Sequence, residues 1–207
     1  MPVELTDLLQ PRHTAVLTME IQRGVVGDLS SFPELAGAAS SSGMLHAVGR
    51  LLAAVRPAGV TVVHCTAGFR ADREGSPANA PLITAMLRRS EHLLEGTPAV
   101  ELVPEIGAAA DDLVSHRRHG VSPFGGTGLD EMLRGRAIET VVATGVSLNL
   151  GIIGLCVEAV NLGYRVVLPT DAVTGIPAGY GADVLRHTLA LVATLTTVDE
   201  IVAALGS

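Results

Sequence analysis

Residues 141–173, VVATGVSLNLGIIGLCVEAVNLGYRVVLPTDAV, read as strand, tight turn, helix and second strand. Val141, Val142 and Ala143 form a short apolar run broken at Thr144-Gly145, and a helical pattern follows from about Asn149 to Leu162, closed by Gly163. The second apolar run, Tyr164 to Leu168, stops at Pro169-Thr170-Asp171. Two strands joined by one helix make a βαβ unit, whose crossover is right-handed and whose ligands gather at the carboxyl ends of the strands. The turn from Gly145 to Gly151 is therefore the first place to look for function. Gly151 stands out there, because it occupies the spot best suited to a reactive side chain.

Outward from this unit the same alternation continues. Thr14 to Ile21 reads as strand one, and Ile21 to Gly43 as a long Gly/Ser-rich connection without a clear period. Leu45, Val48, Leu51, Leu52 and Val55 mark a helix over Met44 to Val55, stopped by Pro57-Ala58-Gly59, and Val60 to Cys65 is strand two. Leu82 to Arg89 suggests a short helix and Leu113 to Ser115 a short strand. A glycine-containing loop, His116 to Gly128, leads to a helix from Leu129 to Leu133 and a strand from Ala137 to Ala143. Ala182 to Ala193 reads as a helix and Thr194 to Thr197 as a last strand. The C-terminal helix has Thr197 as N-cap and Glu200 at the third position. Strands alternating with helices predict an α/β fold, a mostly parallel sheet with helices on both faces.

A chain of 207 residues accommodates one sizeable α/β core, so a single domain over residues 1–207 is expected. The net charge of −7 offers no basic footprint, which argues against nucleic acid and anionic membrane surfaces as partners. No charged residue lies between Glu139 and Glu158, but Thr140, Thr144, Ser147, Asn149 and three glycines interrupt the run, so it reads as buried core rather than a membrane span. Only two cysteines occur, Cys65 and Cys156, without metal spacing, and the N-terminus lacks a signal-peptide pattern. A cytoplasmic location is expected. No Gly-x-Gly-x-x-Gly or Gly-Lys-Ser/Thr motif is present, and no flavin, pterin or metal constellation, so no cofactor is expected.

Glu20 lies near the end of an apolar strand, where a carboxylate is costly unless it has a partner or a task. A buried carboxylic acid donates a proton near neutrality, the general-acid role; a salt-bridged strand end is the plainer alternative. The run HRRHGVSPFGGT holds His116, Arg117, Arg118 and His119 and suits an anionic ligand, with the arginines positioning charge rather than moving protons. Free amides around Gly151, at a helix N-terminus, suit a carboxylate or a developing oxyanion. Cys156, five residues on, lies about 140° around the helix and roughly 7.5 Å along it, so it does not share that position. Cys65 and His64 alternate to opposite faces of strand two, which disfavours a Cys-His pair. Gly145-Val146-Ser147-Leu148-Asn149 approaches a nucleophile elbow, with Asp171 and His187 following in Ser, Asp, His order; Asn149 replaces the last glycine of that motif.

Four motifs in order carry a resemblance over nearly the whole chain: EIQ at Glu20 to Gln22, SPFGGTGLDEMLR from Ser122, TGVSLNLG, and GYRVVLPTDAV. With these the chain resembles the isochorismatase-like, or cysteine hydrolase, superfamily. The resemblance implies a six-stranded mostly parallel sheet in a three-layer α/β/α arrangement, a homodimer or larger homo-oligomer, and a catalytic set of Asp, Lys and Cys. At those positions this chain has Glu20, Arg118 and Gly151. Arg117 is the one-residue alternative to Arg118, and strand alternation points it to the opposite face. The resemblance implies a hydrolase acting without a cysteine nucleophile, by general-acid catalysis, on a small carboxylated metabolite. Glu20 and Arg118 would be catalytic, and Gln22, Phe124, Ser147 and Gly151 would contact substrate. The alternatives are a degenerate member that binds a metabolite or protein partner without chemistry, and a serine hydrolase using Ser147.

Overall fold

The computed structural model describes residues 4–206. Six parallel strands, β1 Thr14–Met19, β2 Thr61–Ala67, β3 Leu113–Arg117, β4 Thr140–Gly145, β5 Arg165–Pro169 and β6 Thr194–Thr196, form one sheet in the order β3-β2-β1-β4-β5-β6. The helices are α1 Leu5–Leu8, α2 Pro33–Ser41, α3 Met44–Val55, α4 Pro81–Leu87, α5 Leu129–Arg134, α6 Gly151–Asn161, α7 Ala178–His187 and α8 Val198–Leu205. Chain direction across the sheet reverses between β1 and β4. In an open α/β sheet that switch point leaves a crevice at the carboxyl ends of the two strands.

The core has two halves because successive side chains of a strand face opposite sides. Val16, Val62 and Val142 pack with Val48, Leu51 and Leu52 of α3 and with Ile201 of α8. Leu17, Val63 and Val141 pack with Leu129 and Leu133 of α5 and with Ile152 and Leu155 of α6. Both faces of the four inner strands are covered, so those strands read as nearly continuous apolar runs. The Thr197 capping box forms as expected, the Thr197 hydroxyl accepting from the Glu200 amide and the Glu200 carboxylate accepting from the Thr197 amide. Among the described residues no helix is long and apolar enough to cross a membrane.

Four boundaries differ from expectation in ways that matter. The Ile21 to Gly43 connection contains α2, which is rich in Ala and Ser and buries only Leu35 and Ala39, too weak a stripe to show a period. The helix expected over Ala182 to Ala193 starts at Ala178, directly after Pro177, and ends at His187. Helix α6 begins at Gly151 rather than Asn149. Strand β3 runs two residues beyond Ser115, to Arg117, and that extension rearranges the site.

Candidate functional site

The Gly145–Gly151 turn is shaped by one close approach. Gly145 lies at φ +105°, and a Cβ there would stand 2.2 Å from the Met19 carbonyl oxygen, so only glycine fits. The Val146 amide donates to the Met19 carbonyl at 3.0 Å, and the Leu148 amide to the Thr174 carbonyl at 2.8 Å, which ties the turn to β1 and to the segment after β5. The Val146–Ser147 peptide is cis. Gly151 then opens α6 with its amide unclaimed by any acceptor among the described residues. A Cβ at Gly151 would meet the Met19 terminal methyl at 3.1 Å and the Val146 carbonyl oxygen at 3.2 Å.

Glu20 follows β1 in the left-handed region, φ +52°, its amide donating to the Cys65 carbonyl at 2.9 Å. A non-glycine residue pays about 1–2 kcal/mol for that conformation, and here it turns the carboxylate over the end of the sheet. The carboxylate is ion-paired with the Arg117 guanidinium. Arg117 is only 5% exposed, and its Nη1 has no hydrogen-bond partner among the described residues. Burial pulls its pKa down to about 10, still far above neutrality, so it remains a cation.

This reverses the expected order of the two arginines. Alternation along β3 buries Ser115 and Arg117 and exposes Val114 and His116. Arg118, beyond the strand, is half exposed and pairs with Glu95 at 2.7 Å. Strand alternation was expected to point Arg117 to the opposite face, but β3 continues to Arg117 and its register turns that side chain inward.

Glu20, Arg117, Ser147, Asn149 and Gly151 line one cavity of about 380 Å³ between the ends of β1, β3 and β4. Arg118 and His119 also border it. Much of the remaining wall is apolar, including Val25, Phe32, Leu35, Phe69, Leu82 and Met86. An apolar pocket with a few convergent polar groups is the usual form of a small-molecule site. Among the described residues no cluster of His, Cys, Asp and Glu is arranged to hold a metal ion.

Two expected substrate contacts lie elsewhere. The Gln22 side-chain amide donates to the Ala67 and Val100 carbonyls at 2.8 and 3.0 Å and accepts from the Ala67 amide at 2.8 Å. Its role is to fasten the end of β2 beside β1. Phe124 stacks on Tyr164 at 6.1 Å in the α5–α6 half of the core. Neither lines the cavity, because short polar and aromatic motifs carry no information about which side of a loop they face.

The serine triad does not assemble. Ser147 Oγ donates to Asn149 Oδ1 at 2.5 Å, His187 Nε2 lies 4.0 Å from Asp183, and Asp171 accepts from the Val198 amide. The cysteines are buried and away from the cavity, and burial raises both thiols to about 12, so they are inert at neutral pH. His64 is held by Thr18 at 2.7 Å and Asp112 at 3.0 Å, with no bond to Cys65. His92 and the apolar wall carry no motif in the sequence, since they meet only in the folded chain.

The model of the isochorismatase domain matches residues 14–200. The uncharacterized isochorismatase family protein YecD of Escherichia coli O157:H7 is 28% identical over 203 residues, 95% of this chain and 98% of that protein. The ureidoacrylate amidohydrolase RutB of Rhizobium rhizogenes is 30% identical over 181 residues, 79% of this chain and 71% of that protein. A cysteine hydrolase from Pseudomonas syringae pv. phaseolicola superposes with a TM-score of 0.82 at 21% identity, covering 96% of this chain and 95% of that one, a likeness of fold. With the domain model spanning the whole sheet, from the first residue of β1 into α8, the chain belongs to the isochorismatase family.

Proposed function

We propose that the protein is a hydrolase that cleaves an ester or amide of a small carboxylated metabolite without a cysteine nucleophile. The observation that carries this reading is the Glu20–Arg117 pair, set in an apolar cavity beside the free Gly151 amide, with neither cysteine on the wall. Arg117 stabilises Glu20 as a carboxylate. Glu20 therefore begins as a base, taking a proton from a water whose oxygen attacks the acyl carbon. The carbonyl oxygen becomes an oxyanion at the N-terminus of α6, where the Gly151 amide donates to it. Glu20, now protonated, acts as the acid and passes that proton to the leaving oxygen or nitrogen as the bond to the acyl carbon breaks. A vinyl ether, which needs the proton first, suits a resting ion pair less well. Arg117 Nη1 and the Arg118 side chain at the border supply positive charge for the substrate's carboxylate. That the Rhizobium rhizogenes relative is an amidohydrolase supports an amide-type target.

Turnover of a panel of half-esters and half-amides of small dicarboxylic acids tests the reading. Glu20→Gln is expected to lower kcat by about 10² or more on any substrate that the wild type cleaves. Turnover unchanged in Glu20→Gln overturns it. A second reading, binding without chemistry, is favoured by the self-contained neutralisation of Glu20 by Arg117. It predicts stabilisation by carboxylic acids with no turnover across the panel.

A further inference from the structure

The two sides of the Glu20 cavity differ in chemistry. Val25, Phe32, Leu35, Phe69 and Met86 come from the layer that packs with α3 and form one wall. His92 contributes ring carbon rather than a polar atom to that wall, because Ser31 engages its Nδ1 and its Nε2 is buried. The other wall is made by Ser147, Asn149 and Gly151 at the start of α6 and by the loop from Arg118 to Val121 that leads into α5. Helices α5 and α6 pack in the opposite layer. A charged or polar group laid against the first wall would lose its water and gain no partner.

The position of the cations decides which half of a substrate carries its charge. Arg117 is paired with Glu20, and Arg118 follows it in the chain, so both arginines of the cavity lie on the side of the carboxylate that hands its proton to the leaving atom. Arg117 Nη1 is enclosed by protein and acts through its charge, so direct contact falls to Arg118. The Arg118 Nε and Nη2 donate to Glu95 at 2.7 and 3.3 Å, and its Nη1 has no partner among the described residues. Glu95 therefore orients the guanidinium by two bonds and leaves one edge for an incoming carboxylate. Arg118 also borders a second, polar space of about 390 Å³ beside Gly75, Gly125 and Gly126, which leaves room around that carboxylate.

We propose that the cavity takes N-acyl amino acids, with an apolar acyl chain along the Phe32, Leu35, Phe69 and Met86 wall, the amide at Glu20 and Gly151, and the amino acid's carboxylate on Arg118. An α-amino acid keeps its carboxylate one carbon away from the nitrogen, and so beside the reacting centre. The inference rests on the hydrolase reading and narrows its carboxylated substrate to one whose charge leaves with the nitrogen. Water adds to the acyl carbon, and its proton passes through Glu20 to the nitrogen as the carbon–nitrogen bond breaks. The products are an apolar carboxylic acid and a free amino acid.

Hydrolysis of N-acetyl-, N-butanoyl- and N-hexanoylglycine tests the acyl half. For the wild type, kcat/KM is expected to rise about threefold or more for each methylene from acetyl to butanoyl, the gain from burying a CH2 group. Leu82 lines the same cavity and is 38% exposed, so Leu82→Asn spares the core. It is expected to lower turnover of the hexanoyl relative to the acetyl compound by about threefold or more. N-hexanoylglycinamide, which lacks the charge, tests the other half, with hexanoate release as the readout. The wild type is expected to favour N-hexanoylglycine about tenfold, through KM, and Arg118→Gln to reduce that preference to about twofold or less. Rates that do not rise with chain length, a length dependence untouched by Leu82→Asn, or a carboxylate preference that is absent or survives Arg118→Gln overturns the proposal. Failure to cleave or bind any of the acylglycines overturns it as well. Cleavage of half-esters or half-amides of dicarboxylic acids but of none of the acylglycines leaves the hydrolase standing and removes this substrate class. Calorimetric binding of acylglycines that strengthens with chain length and weakens in Arg118→Gln, without turnover, keeps the ligand class and removes the hydrolase.

Discussion

The Arg117 guanidinium reaches the Glu20 carboxylate from the far side of β2, since Glu20 follows β1 and Arg117 ends β3. Two strand intervals separate them, roughly 9.5 Å of sheet. The residue between them is Ala67, the register partner of Arg117 on β2. Paired residues on neighbouring parallel strands point to the same face, so the small Ala67 side chain leaves the lane along which the arginine crosses.

That lane makes a sharp prediction. Ala67→Leu is expected to push Arg117 off Glu20, cost about 1–3 kcal/mol in urea unfolding and lower turnover. Arg118→Ala removes a partly exposed pair with Glu95 and is expected to change stability by less than about 1 kcal/mol. Equal effects from the two substitutions would contradict the assignment of the arginines.

Gly145→Ala tests the turn. Its methyl would overlap the Met19 carbonyl oxygen, at a backbone angle that side chains disfavour. A loss of about 3 kcal/mol or more is expected by chemical denaturation. Gly163→Ala, at φ +91° with open space around it, is expected to cost less because it carries strain without the collision.

Gly151→Cys places a thiol at the N-terminus of α6, where the helix dipole favours the thiolate. Its Cβ requires the flexible end of Met19 and the Val146 carbonyl to give by a few tenths of an ångström. Iodoacetamide under native conditions is expected to label this variant quickly. The wild type, whose two thiols are buried and raised to about 12, should label slowly. Rapid labelling of the folded wild type would contradict the burial of Cys65 and Cys156.

Acid stability follows from the buried histidines. His92 is lowered from 6.5 to about 4 and His64 is also lowered, desolvation being the largest cause for both. The unfolded chain therefore binds protons near pH 6.5 that the folded chain refuses, so stability is present above that range and is lost as pH falls toward 4. The opposing pull on His64 from Asp112 softens its share. Thermal midpoints measured between pH 7 and 4.5 are expected to fall less steeply in His92→Phe than in wild type. Parallel curves would contradict a buried neutral His92.

Local chemistry was enough for much of the architecture. Apolar runs located the four inner strands, because a strand covered on both faces must be largely aliphatic, while the edge strands β3 and β6 were short and weakly marked. The Thr197–Glu200 capping box and the Gly145 turn were also legible, since each depends on residues close in sequence. Helix α2 was not, because alanine and serine leave its buried face almost unmarked.

The site divides along the same physical line. Glu20 and Gly151 were readable from the chain alone, one as a carboxylate in an apolar strand and the other as a glycine in a βαβ turn. The choice of Arg117 over Arg118 was not, because it depends on where β3 ends and on an alanine of a different strand. Gln22 and Phe124 went to packing, and His92 joined the cavity wall, for the same reason. A one-residue step along a strand reverses the face of a side chain, and only the assembled sheet sets that register.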